Sequence, residues 1–289
     1  MTAILSRILA TCAFLLAATP VQSQTVERFV DWSGLFKGFS GESGWGVNIA
    51  SQGEVYFISW LTYDLDGSQM WLVVPRAERV GPYRYAGPMY RATGPAFNRL
   101  PWNPDGDGVT VTQVGSGELY IVGDVFNDYL QFGYVLNGVP GFKDLDWQVF
   151  GTYPECVANG TKAVYQDLWW GGPAESGWGL HVNHQGDIIF AIWLTFDVDG
   201  RGIWVVMPRG ERVGSSESFS GALYTTTGPR YDALPWNSAA VIATEVGQAT
   251  LAFAGSGSGQ FTYTLHGATQ TKEISRQGAP TRWTTCRTR

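Results

Sequence analysis

Two glutamates stand in one repeated pentapeptide. Glu42 opens Glu-Ser-Gly-Trp-Gly and Glu175 opens an identical copy. A carboxylate at the head of a strand can act as a general acid or base, and in the second copy His181 and Asp197 could assist Glu175. That constellation defines one reading, a hydrolase or lyase acting on an envelope polymer. A glycosidase would also need a second carboxylate about 5 to 10 Å away. Asp64 and Asp197 are available, but each belongs to an Asp-x-Asp-Gly turn that explains it more simply. The competing reading is structural: each glutamate pairs with a repeated arginine, Arg76 or Arg209 in Pro-Arg-x-Glu-Arg-Val-Gly, and the pattern favours this ion pair over catalysis.

Nucleophiles and metals find less support. Ser43 and Ser176 need a base nearby, the first copy holds no histidine, and the motif is not Gly-x-Ser-x-Gly. His181 and His184 are three apart on a strand, so they point to opposite faces, and a solvated strand is the expected setting. Asn103 to Gly108 is rich in oxygen ligands but lacks the closing glutamate of a calcium loop, and a turn is expected there. No metal or cofactor is therefore anticipated.

Indoles carry the binding reading. Trp60 and Trp71 flank the Asp-Gly hairpin, and a two- or four-residue loop would place them on one sheet face, an arrangement that Trp193 and Trp204 repeat. The other face, with Val55, Phe57, Leu61, Met70, Leu72 and Val74, reads as the core. The indole face, with Tyr56, Ile58, Thr62 and Val73, would pack on another layer or hold a glycan or a small apolar molecule. Trp169 and Trp170 extend this candidate set in the second copy, where the first has Phe36 and Lys37. Trp45 and Trp178, each flanked by glycines, read as plugs at barrel ends.

These residues must be positioned by a duplicated fold. Residues 42–81 align without a gap on 175–214, a shift of 133, and 22 of the 40 positions are identical. Leu100-Pro101-Trp102-Asn103 recurs at 234–237, Val114-Gly115 at 246–247 and Tyr134 to Gly138 at 263–267. A period this long means two domains, each with its own core. Strands are expected at 44–50, 54–64, 69–80, 84–93, 117–122, 129–136 and 146–152, with counterparts in the second copy at 218–227, 249–254, 260–265 and 272–276. Seven or eight short antiparallel strands per copy suggest an all-β protein of two tandem up-and-down barrels, calycin-like, or sandwiches. The Gly-x-Trp strand of lipocalin-type barrels is similar to the shared pentapeptide over that one strand.

The sequence also suggests export. Arg7 followed by the apolar stretch 8–19 and Val21-Gln22-Ser23 reads as a signal peptide over 1–23, leaving domains at 24–156 and 165–289 joined by a linker at 157–164. Cys12 would leave with the signal. Cys156 and Cys286 end the two copies and form a disulfide candidate, with two free thiols as the alternative. No segment beyond the signal is apolar enough to span a bilayer as a helix. A net charge of −6 and an isoelectric point near 5.1 argue against a nucleic-acid partner. The 37 glycines and 13 tryptophans describe a turn-rich β protein rather than a helical one.

Leu168-Trp169-Trp170, Ala174 to Gly179, Asp197 to Gly200, Tyr224 to Pro229 and Lys272 to Gln277 together resemble a β-rich repeat of exported bacterial proteins. The resemblance covers nearly all of the mature chain and implies a secreted or periplasmic protein, but it brings no activity and no catalytic residues. The expectation is a non-catalytic binding protein; the hydrolase or lyase and a protein-interaction scaffold or inhibitor are the alternatives.

Overall fold

Short amphipathic runs punctuated by Asp-Gly and Asn-Gly pairs build sixteen strands among the described residues. The computed structural model describes residues 32–102, 108–122, 129–152 and 164–277. The proposed signal peptide, Cys12, Cys156, Cys286, all but the last residue of the linker and most of the 103–108 loop lie outside them. In the first copy the strands are β1 Gly34–Gly38, β2 Gly46–Gln52, β3 Val55–Tyr63, β4 Gln69–Gly81, β5 Arg84–Thr93, β6 Thr110–Val122, β7 Tyr129–Leu136 and β8 Val139–Trp147. The second copy supplies β9 Asp167–Trp170, β10 Gly179–Gln185, β11 Ile188–Phe196, β12 Gly202–Arg212, β13 Ser218–Thr227, β14 Ile242–Phe253, β15 Ser258–Leu265 and β16 Ala268–Arg276.

Each set closes into its own antiparallel barrel, β1 to β8 in order with β8 returning to β1, and β9 to β16 with β16 returning to β9. Closure leaves neither sheet with a free edge. Eight strands give an interior just wide enough to be filled by side chains. In the first barrel, Val47, Trp60 and Leu72 share one row because Val47 faces Trp60 and Trp60 faces Leu72 across the ladder. Among the described residues no helix is long and apolar enough to cross a membrane.

Three expectations need correction. On β3 the barrel interior is lined by Tyr56, Ile58 and Trp60, each at most 1 % exposed, and the face of Val55, Phe57 and Leu61 is the outer one. The β3–β4 connection is neither two nor four residues: Asp64 N bonds Ser68 O, the three residues between form the loop, and Gly67 takes φ 79°. An odd loop inverts the facing, so Trp71 pairs with Leu61 and points outward while Trp60 points in. The same loop, with Gly200 at φ 78°, separates Trp193 from Trp204. The last strand of the first copy also lies earlier than 146–152. Asn137 and Gly138, at φ 50° and 81°, make a two-residue turn that pairs Leu136 with Val139 and starts β8 at once.

Candidate functional site

The repeated motifs converge on the seam between the barrels, where the outer faces of β2–β4 meet those of β10–β12. The contacts come in pairs related by the repeat. Trp71 Nε1 donates to Thr195 O at 3.1 Å, and Trp204 Nε1 donates to Thr62 O at 3.2 Å. Phe97 N donates to Phe196 O, and Tyr231 N donates to Tyr63 O. Gly94 N donates to Gly200 O, and Gly228 N donates to Gly67 O. Trp102 Nε1 reaches Ser176 O, and Trp236 Nε1 reaches Ser43 O. This is the internal counterpart of an isologous dimer contact, with two homologous domains in place of two subunits.

The β5–β6 loop of the first barrel and the β13–β14 loop of the second each cross the seam and seal the other barrel. Phe97 packs edge-on against Trp193, 6.3 Å between centroids, and Tyr263 Oη donates to Phe97 O. Tyr231 packs edge-on against Trp60 at 6.1 Å. Trp60 and Trp193 are each 1 % exposed, Trp71 5 % and Trp204 4 %, so these four indoles present almost no surface to solvent. Trp169 is equally buried, donating to Tyr165 O and lying under the Arg276 guanidinium, while its neighbour Trp170 is half-buried. The described hydrophobic cluster of the second barrel runs through Leu61, Tyr63, Trp71, Phe97 and Trp102 of the first without a break.

At each end of the seam, one lysine is held between two indoles and a glutamate. Lys272 Nζ lies 2.7 Å from Glu175 Oε2, 5.2 Å from the Trp178 ring centre and 5.3 Å from that of Trp102. Lys143 Nζ lies 3.3 Å from Glu42 Oε2, 5.2 Å from Trp45 and 5.5 Å from Trp236. Trp178 Nε1 and Trp45 Nε1 donate to the same carboxylate oxygens. Aromatic faces carry negative charge density, so the two rings and the carboxylate together compensate an ammonium taken out of water. The glutamates are ion-paired, but not to Arg76 and Arg209. Those arginines point to solvent and bind Glu78 and Glu211, two residues along their own strands.

The glycines of the pentapeptide serve the same seam. A Cβ on Gly177, at φ +119°, would lie 2.4 Å from Val109 of the other barrel, and one on Gly44, at φ +95°, would lie 2.5 Å from Val241. Both the backbone conformation and the close approach require the missing side chain. Gly177→Ala should therefore cost about 1 to 3 kcal/mol in a urea titration; an unchanged midpoint would mean that the barrels part freely at this point.

Near the pseudo-twofold axis lies a buried polar chain. Asn48 and His181 occupy the same position in the two copies, and Asn48 Nδ2 meets His181 Nδ1 at 2.8 Å. Asn183 Nδ2 donates to Asn48 Oδ1, which leaves Asn48 its amide protons for His181. The imidazole proton is then on Nε2, which donates to Ser59 Oγ at 2.6 Å. Serine, histidine and asparagine are thus in contact, but with the imidazole donating to the hydroxyl it would have to deprotonate, and with Ser59 at 0 % exposure. The chain is a sealed structural network. His184 faces the other way, into the second barrel, where it accepts from Tyr165 N and stacks on the Tyr165 ring. Neither histidine is solvated, because one face of β10 is the barrel interior and the other is covered by the first barrel. Burial pushes the His181 imidazole down to about 3 and that of His184 to about 4.

The proposed catalytic partners are not brought together. Glu175 is bound to Lys272 and Trp178, His181 to Ser59 and Asn48, and Asp197 Oδ1 accepts from Asp199 N and Arg201 N within its own turn. Comparison of the chain with protein-family models, curated proteins and solved structures gives no match. The lysines and Ser59 escaped sequence reasoning. A signal for the lysines existed: Lys143 and Lys272 each stand five residues after the glycine of the last hairpin turn, inside an otherwise alternating strand.

Proposed function

We propose that this is an exported, non-catalytic binding protein in which two duplicated barrels form one scaffold and whose ligand is a glycan or a small apolar molecule. The observation that carries this reading is the engagement of both motif glutamates. Each carboxylate neutralises a lysine enclosed by indoles, so its role in the fold accounts for its recurrence in both copies. A general acid would need a carboxyl left free to exchange its proton with substrate. The buried tryptophans move the expected ligand contact away from Trp60, Trp71, Trp193 and Trp204 and towards the outer faces of the barrels.

The test is calorimetric titration of the mature protein with a panel of envelope glycans, with reducing ends assayed in the same samples. Binding without new reducing ends is the expected result. Turnover that disappears in Glu175→Gln would replace this reading with the hydrolase.

A further inference from the structure

The two barrels differ most where they do not touch. On the outer face of β6–β8, Gly133 stands between Glu118 on one side and Phe142 on the other, and Gln131 stands between Tyr120 and Asp144 in the next row. A groove of about 400 Å³ opens over this grid, within the range of small-molecule sites, lined among others by Tyr120, Gly133, Tyr134 and Phe142. Phe142 is 68 % exposed, so its ring is open to a ligand. Gly133 is the gap that makes the groove: a Cβ there would lie 3.1 Å from the edge of the Tyr120 ring.

The corresponding face of the second barrel has no such groove chemistry. The row Glu118, Gly133, Phe142 becomes Thr250, Thr262, Thr271, and Tyr120 becomes Ala252. Thr262 and Thr271 spend their hydroxyls on each other at 2.9 Å. The inner face differs as well. Tyr263 Oη bonds both Phe97 O and Gln270 Oε1, whereas its counterpart Tyr134 faces Gly141 instead of a glutamine, and its hydroxyl makes no hydrogen bond among the described residues.

The carboxylates around the groove are already hydrogen-bonded, although among the described residues only Glu118 has a cationic partner. Glu118 accepts hydrogen bonds from both Arg84 and the Tyr120 hydroxyl, and Gln131 Nε2 donates to Asp144 at 2.6 Å. An anionic ligand would be repelled by two carboxylates balanced by a single guanidinium; an uncharged one would not, and its hydroxyls can donate to the lone pairs left open. The exposed Phe142 ring can accept the apolar face of a pyranose beside the half-buried Tyr120, over whose ring Arg84 lies 5.3 Å from the centroid, while neighbouring carboxylate and amide groups bond its equatorial hydroxyls. We propose that the outer face of β6–β8 is a saccharide site that holds an uncharged pyranose against Tyr120 and Phe142 over Gly133. The inference rests on the binding-protein reading above and names its ligand class and its place.

The experiment uses the full mature chain, with chitotetraose and maltotetraose as probes in calorimetry and the products checked by chromatography. Wild type should bind at least one of them. Phe142→Ala should weaken that binding roughly tenfold, and Gly133→Thr, which installs the second barrel's residue, should abolish it, both with an unchanged melting temperature. Absence of binding to either probe overturns the site. Binding that is equally tight in both variants also overturns it, while leaving the binding-protein reading intact. Shortened oligosaccharides would instead overturn the non-catalytic reading on which the site rests.

Discussion

Glu175→Gln should lower the unfolding free energy by about 3 kcal/mol or more, whereas Lys272→Met should cost only about 1 kcal/mol. The asymmetry comes from burial. The Lys272 side chain is 2 % exposed, and the Glu175 side chain 28 %. Removing the carboxylate leaves an ammonium enclosed by Trp102 and Trp178 without its counter-charge. Removing the ammonium leaves a carboxylate that water can reach and an apolar thioether between the rings. The double variant should therefore be more stable than Glu175→Gln alone, since it removes the stranded charge. At the other end of the seam the pair is longer, 3.3 Å between Lys143 and Glu42, and Glu42→Gln should show the same sign with a smaller effect. Urea midpoints of the four variants settle the matter. Equal stability of Glu175→Gln and wild type would remove the clamp and return the carboxylate to the list of possible acids.

The architecture was legible because it was written twice. The ends of β5, β7 and β13 fall where alternation and turn residues place them, and the duplicated block gives two barrels rather than one large sheet. Facing was harder to read. Whether Trp60 and Trp71 share a face depends on a single residue of loop length, and Asp-Leu-Asp-Gly is compatible with an even loop or with the observed odd one until Gly67 is seen in the left-handed region. β8 starts earlier than residue 146 because Asn137-Gly138, which the repeat alone does not mark as a turn, closes a two-residue hairpin. The burial of His181 was not in the local pattern at all: the outer face of a barrel strand is polar by default, and only a second barrel lying on it makes Asn48, Ser59 and His181 interior residues.

Conservation between the copies therefore separates two kinds of residue. Those that recur, Glu42 and Glu175, Trp45 and Trp178, Lys143 and Lys272, Trp102 and Trp236, meet at the seam, where each contact has a mate across the pseudo-twofold. Recurrence is what an isologous contact demands of both partners. A ligand site on one barrel carries no such demand, and the face that changed between copies, with Tyr120, Gly133 and Phe142 on one side and alanine and threonines on the other, is free of the seam.

Acid should weaken this protein well before its carboxylates are protonated. Unfolded imidazoles titrate near 6.5, whereas burial keeps His181 neutral down to about 3 and His184 down to about 4. Between those values the unfolded chain binds more protons than the folded one, so the stabilisation present above pH 6.5 is lost as the pH falls. Each histidine should contribute a slope of about 1.4 kcal/mol per pH unit, or about 4 kcal/mol for the two together at pH 5. No charged partner offsets this for His181, which is faced by Ser59 and Asn48 and lies beside the Phe57 ring. For His184, burial, helped by the Arg212 charge, outweighs the Gly186 backbone hydrogen bond and the Asp187 and Glu217 carboxylates that favour the imidazolium. His181→Asn and His184→Ser, which restore the residues of the first copy, should each remove about half of the slope between pH 7.5 and pH 5 in urea titrations. A midpoint that stays constant over that range would mean that water reaches both rings and that the seam is open. A slope that survives His181→Asn intact would place the acid-sensitive group inside the second barrel, at His184, rather than between the two.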